Sequence, residues 1–293
     1  MDTLRYVGKD EPLTTEQGQY IKDRAVFAAR RTFMGRKLFG TSLRKIDSGS
    51  QTFCYDTQTE VANAAIDFNW PGRENQDIVN LARTTVGIPN LHKEFEINKL
   101  DLASSRTIGT TLNTSTAESA VYKVGLLEDT LLILGYAADG TNYDINGLYN
   151  AAGNSEATSL DWGTAANIVT SVNNTIALLL ADNILPPYNL TINPTQAVQA
   201  EVLIGTTAVS YTDWIEKRLR DGTIYITPGI TAGIGMMTKV EPSGMFEYVL
   251  AEDLTTETEV LDIQHGNNLF GRVYVRGLPV VYDANAISQM TTI

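Results

Sequence analysis

Few residues in this 293-residue chain have the type and spacing needed for covalent chemistry. The two histidines, His92 and His265, stand far apart, and neither has a cysteine or second histidine close by in sequence. A zinc site or a Ser-His-Asp arrangement would have to be assembled from these two alone. Cys54 is the only cysteine, so no internal disulfide can form. There is no Gly-x-Ser-x-Gly, no phosphate loop and no His-Glu-x-x-His, and Gly233-Ile234-Gly235 lacks the third glycine of a dinucleotide site. Asp139 to Asn150 resembles a calcium loop, but Asn150 stands where the bidentate glutamate is required, so a turn is expected. Glu128 and Asp129 are neighbours on a helix and diverge by about 100°, which keeps them from facing one another as acid and base. The expectation is a non-enzyme with no cofactor and no metal.

Charge carries more information. Residues 22–45 hold Lys22, Arg24, Arg30, Arg31, Arg36, Lys37, Arg44 and Lys45 against one acid, Asp23, in a protein of net charge −12. Between Lys123 and Lys217 there is no Lys or Arg, while acids run from Glu128 and Asp129 to Asp213 and Glu216. Such segregation lets one end attract an anionic partner while the remainder stays soluble and self-repelling. No apolar run approaches the roughly 18–20 residues of a membrane span, and MDTLRYVGKDEPLT lacks the apolar centre of a secretory signal. No membrane partner is expected, and the sequons at Asn113, Asn173 and Asn189 are read as chance matches.

The elements that must position these charges follow from caps and periodicity. Pro12 to Glu16 opens a helix to about Thr32, with a narrow apolar stripe of Ile21, Ala25, Ala28 and Ala29. Gln51–Tyr55 and Ala64–Phe68 read as two short strands, followed by the exposed turn around Trp70-Pro71-Gly72. A two-stranded excursion without its own core needs outside support. Ile88–Ile97 reads as a strand. Ser115 to Glu118 starts the strongest helix, about 19 residues ending at Gly135, and a second spans Thr164 to Asp182. Then follow a strand at Tyr188–Ile192, a helix from Asn193-Pro194 through Leu203, a helix at Tyr211–Leu219 and a strand at Thr223–Thr227. Strands are expected at Phe246–Ala251, at Glu257–Ile263 and at Phe270–Tyr282, the last interrupted at Gly277. The class is α+β, with an antiparallel sheet assembled from distant segments.

In order along the chain, short motifs resemble encapsulins and the related major capsid proteins of tailed viruses, which share the Hong Kong 97-like fold. They are Pro12-Leu13-Thr14-x-x-Gln17, Asp23-x-Ala25, Gly35-Arg36-Lys37, Ile88-Pro89, Leu100-Asp101 with Ser105-Arg106, and Glu128-Asp129. Gly147-Leu148, Tyr188 to Asn193, Leu219-Arg220-x-Gly222-x-Ile224 and Thr227-Pro228 complete the series. The resemblance implies an N-terminal arm (1–47), an extended loop (48–87), a peripheral domain with a long spine helix (88–135), an axial domain (136–248) and return strands (249–293).

It further implies a self-assembling icosahedral shell, most simply the major capsid protein of a tailed virus enclosing double-stranded DNA. The alternatives are an encapsulin compartment around cargo enzymes, and a non-shell nucleic-acid-binding protein. Under the resemblance the eight basic arm residues face the lumen and contact nucleic acid. Phe68, Trp70, Pro71, Arg73 and Glu74 make inter-subunit contacts, and Asp139, Asp144, Glu156 and Asp161 lie near the capsomer centre. Partners would be copies of the chain in hexamers and pentamers, packaged DNA or cargo protein, and separate scaffold or cement proteins. The location would be a virion assembled in a host cytoplasm, or the cytoplasm for an encapsulin. No Lys lies between Lys45 and Lys93, so no Lys–Asn cross-link is expected from the extended loop.

Overall fold

The computed structural model describes residues 34–58, 80–98, 100, 104, 115–137, 144–156, 160–240, 244–258 and 269–293. The helix expected over 14–32, the strand at Ala64–Phe68 and the turn at Trp70 lie outside them.

The organising element is helix α2, Ser115–Ile133, 19 residues long. It buries Ala117, Val121, Val124, Leu131 and Leu132, spaced so that one face meets a four-stranded sheet. That sheet runs in the order β1 (Leu43–Lys45), β11 (Phe246–Thr258), β12 (Leu269–Val281), β4 (Asn90–Ile97). β4 and β11 pair antiparallel with β12, while β1 joins β11 in parallel. Phe95 faces the helix, and Gly271, its register partner on β12, leaves room for the Phe95 ring. β12 runs unbroken through Gly277, contrary to the expected interruption. A side chain there would strike the Tyr248 ring, so the glycine serves packing and not chain reversal.

A second sheet has the order β7 (Asn154–Ser155), β13 (Ile287–Thr291), β10 (Ile234–Lys239), β8 (Tyr188–Ile192), β9 (Ile224–Ile226). Helices α3 (Ala165–Ala181), α4 (Pro194–Ala200) and α5 (Tyr211–Leu219) supply its core with Ile168, Val172, Leu179, Ala200, Ile215 and Leu219, and Trp162 in the turn before α3 joins them. The sheets are mixed, not purely antiparallel, since β7–β13 and β8–β9 are also parallel pairs. The C-terminal strand β13 joins this second sheet and not the one beside α2, with Met290 and Ile293 completing the second core. α4 stops at Ala200, short of the expected Leu203, which instead bridges to Ser210.

The spine helix and the second unit are joined by a tight crossing. β5 (Gly135–Tyr136) pairs with β6 (Ile145–Asn146), and the following Leu148 and Tyr149 N–H groups donate to the Leu132 and Ile133 carbonyls. Those carbonyls belong to the last turn of α2, whose acceptors would otherwise lack partners. Gly135 turns the chain with φ +85°.

β2 (Thr52–Gln58) and β3 (Leu81–Gly87) form a separate antiparallel ribbon that joins no third strand among the described residues. The strand that pairs with β2 is Leu81–Gly87, which sequence reasoning did not anticipate. Arg83 binds Asp56 across the ribbon at 2.8 Å, and Leu81 is 64% exposed.

Candidate functional site

Glu128 and Asp129 are both buried near the end of α2, and their divergence lets each serve a different neighbour. Asp129 Oδ1 accepts the Met34 N–H at 3.1 Å and the Gly35 N–H, at the start of the short helix α1 (Gly35–Leu38). Its other oxygen accepts the Thr227 hydroxyl, which in turn accepts the Gly229 N–H at 3.1 Å. Gly35 and Gly229 let both backbones close on the carboxylate, since a Cβ on Gly35 would lie 2.7 Å from Asp129 Oδ1. One buried carboxylate thereby ties the arm, the spine helix and the segment after β9.

Glu128 holds the arm by charge. Arg36 Nε lies 2.7 Å from one carboxylate oxygen and Nη2 3.2 Å from the other, and Tyr248 O–H donates to the same group at 2.6 Å. The remaining edge of the guanidinium reaches Asp253 on β11 at 2.6 Å. Burial alone would push the Arg36 pKa down, but Glu128 and Asp253 outweigh it and hold the group above its ordinary value. Burial and the adjacent Glu128 charge push the Tyr248 phenol well up, so it stays a donor. Burial also pulls Asp253 upward, yet Arg36 brings it below the usual carboxylate range. Phe39 packs edge-on to Phe246 and against Tyr248, sealing the clasp on its apolar side.

Asp129 differs in having no cation beside it among the described residues, and burial raises its pKa despite three hydrogen bonds. Folding therefore favours its protonated form. That contribution is full below the ordinary carboxyl pKa near 4 and is lost as pH rises through the raised value. Asp129→Asn, which keeps the acceptor and removes the charge, should leave stability at pH 7 within about 1 kcal/mol of the parent and flatten its pH dependence. Asp129→Ala leaves buried donors unpaired and should cost about 3 kcal/mol. Urea unfolding of both variants at pH 5 and pH 7 measures this, and equal losses in the two would refute it.

The clasp takes up basic residues that sequence reasoning assigned to nucleic acid. Arg36 is engaged by Glu128 and Asp253, and Arg44 lies 3.5 Å from Glu247 and over the Phe53 ring. Lys37 and Lys45 are exposed, Lys45 within electrostatic reach of Asp253. Lys22, Arg24, Arg30 and Arg31, the loop residues Phe68, Trp70, Pro71, Arg73 and Glu74, and Asp139 fall outside the described residues. Asp144 and Asp161 are exposed, and Asp161 accepts the Gly163 N–H at 2.8 Å. Glu156, by contrast, is buried. It is 2% exposed, bound by Ser171 at 2.7 Å and Asn174 at 3.2 Å, with its pKa raised by burial. Sequence reasoning missed Tyr248 and Asp253; the pair Thr227-Pro228 was the only trace of the third wall.

The model of the family described as the encapsulating protein for peroxidase matches residues 1–260 of this chain. The chain belongs to the encapsulin family. Solved structures of the same fold extend the likeness beyond that range. A virus-like particle protein from Pyrococcus furiosus is similar at 15% identity and TM-score 0.69, over 93% of this chain and 98% of that one. The capsid of Myoviridae Phage XM1 is similar at 12% identity and TM-score 0.66, over 88% and 92%. A chain from Mycobacterium phage Ogopogo is similar at 13% and 0.63, over 89% and 92%. This encapsulin-family chain thus has the fold shared by encapsulins and phage capsids. Among its described residues no helix is long and apolar enough to cross a membrane.

Proposed function

We propose that the chain assembles with copies of itself, as pentamers and hexamers, into a closed icosahedral shell, and that this shell is a tailed-virus capsid around double-stranded DNA. The observation that carries assembly is the β2–β3 ribbon. Its base packs on the first core through Phe53, Tyr55 and Val86, but no third strand joins it among the described residues and Leu81 at its outer end is 64% exposed, an edge that neighbouring copies in a shell would cover. The clasp supports the same reading, because it fixes the departure point of the arm against both the spine helix and the segment after β9. Each interface in such a shell can be modest, since every subunit makes several.

The basic arm supports nucleic acid as the contents. Arg36 and Arg44 are engaged internally, Lys37 and Lys45 are exposed, and Lys22, Arg24, Arg30 and Arg31 add to the positive charge of the same segment, which would neutralise phosphates in a salt-dependent, sequence-independent way. The second reading, a compartment around protein cargo, is favoured by the family's own description. Nuclease-treated particles from the native source separate the two. Protected double-stranded DNA is expected, and replacing Arg30, Arg31 and Lys37 with Glu should lower it severalfold while particles still form. Particles free of nucleic acid that hold a co-purifying enzyme would establish the compartment instead.

A further inference from the structure

Glu156 is a buried acid that the clasp does not use. It follows β7, and its main chain is stitched to β13, the N–H donating to Gln289 O at 3.0 Å and the carbonyl accepting the Thr291 hydroxyl at 3.2 Å. Its side chain turns to α3, where Ser171 O–H donates to Oε2 and the Asn174 amide to Oε1. The carboxyl thus spans the seam between the β7–β13 edge and the longest helix of the second unit. The elements packed there supply no cation. α3, β7 and β13 contain no titratable side chain, and neither does α4, which packs on α3. Nearby in sequence, Asp182 is held by Asn154 at 2.7 Å and Asp161 accepts the Gly163 N–H. Asp213, Glu216, Lys217 and Arg218 of α5 are exposed, and Lys239 of β10 is held by the Leu185 and Pro186 carbonyls.

The Ser171 hydroxyl, itself fully buried, lies 3.5 Å from Met290 Sδ as well as 2.7 Å from the carboxylate. It has one hydrogen for these two acceptors. With Glu156 ionised, that hydrogen goes to Oε2. With Glu156 protonated, the carboxyl O–H donates to Ser171 Oγ, and the Ser171 hydrogen swings to the sulfur. Both states are hydrogen-bonded, but only the ionised one leaves an unpaired charge inside a core. We propose that Glu156 is a proton-operated latch on this seam: protonated, it holds α3 against β13, and on losing its proton to solvent it lets the seam open. Burial raises its pKa, the direction the latch requires, while Ser171 and Asn174 pull the other way. Stability from the latch is therefore full below the ordinary carboxyl value of about 4 and is lost as pH rises through the raised one. α3 supplies Ile168, Val172 and Leu179 to the second core, so a loosened seam opens the interior of that unit.

Hydrogen exchange of the purified chain tests the latch, expressed as protection factors so that the intrinsic pH dependence of exchange is removed. Protection over 168–179 should fall severalfold between pH 5 and pH 8, about tenfold for each unit by which burial raises the carboxyl. Glu156→Gln keeps the shape of the side chain and cannot ionise, so its protection should no longer fall. Met290→Leu removes the sulfur acceptor, disfavours the protonated state and should move the fall to lower pH. A parent with the same protection at both pH values overturns the inference, and so does a Glu156→Gln variant whose protection falls as the parent's does. Where the glutamine variant does not fold, a Met290→Leu variant whose fall stays at the parent's pH overturns it instead.

Discussion

Replacing Arg36 with alanine is expected to lower folding stability by about 3 kcal/mol and to prevent shell formation. Glu128, buried at the end of the spine helix, would lose the only cation that contacts it among the described residues. Removing one partner of a buried pair commonly costs about 3–5 kcal/mol, and the partial exposure of Arg36 places the loss at the lower end. The double variant Arg36→Met/Glu128→Leu should recover much of the loss, because no unpaired charge is then left inside. Tyr248 would lose an acceptor in that variant, so recovery should be incomplete. Urea unfolding with unchanged slope measures the difference. A single Arg36→Ala variant within about 0.5 kcal/mol of the parent would show that the clasp does not hold the arm.

The second large effect belongs to Gly147→Ala, which should destabilise the fold by about 3 kcal/mol or more. A Cβ at Gly147 would lie 2.5 Å from the Leu134 carbonyl carbon and 2.6 Å from the Ile133 oxygen, and against the Gly135 nitrogen. All three obstacles are backbone, so no side-chain rearrangement can relieve them. The strand would have to move off the end of α2, giving up the Leu148 and Tyr149 hydrogen bonds that complete the helix. Thermal unfolding should show a fall of several degrees or more, while Gly205→Ala, where an added Cβ meets nothing within 4 Å, should show a smaller one from its positive φ alone. Equal melting of the Gly147 variant and the parent would contradict the crossing.

The spine helix and α5 were legible because their signals are local. Val121, Val124 and Leu131 recur at helical spacing, and α5 is closed by Asp221-Gly222; its reciprocal Ser210–Asp213 cap is a further local signal that sequence reasoning passed over. β10 and β13 were not legible. β10 reads Ile-Gly-Met-Met-Thr-Lys and its four central residues are buried without alternation, so the period-two signal of a half-exposed strand is absent. β3 failed for the opposite reason, since Leu81 to Arg83 are all exposed and nothing in the pattern marks a face. The clasp was half legible. Glu128-Asp129 stood out as an adjacent pair, and the two carboxylates do diverge to different neighbours. Their actual partners lie 92 to 120 positions away, and pairings of that separation leave no periodic trace in one sequence. The basic segment was legible as composition, but composition does not separate Arg36, drawn inward by two acids, from Lys37 beside it, which is exposed.

The central claim is that this chain builds a closed shell. Electron microscopy of the purified chain at micromolar concentration in low salt, combined with sedimentation velocity, tests it most directly. The account predicts closed icosahedral particles of uniform size, resolved by averaging into pentamers and hexamers with the β2–β3 ribbon lying on a neighbouring copy. Folded material that sediments only as monomers or dimers across salt and concentration would contradict it.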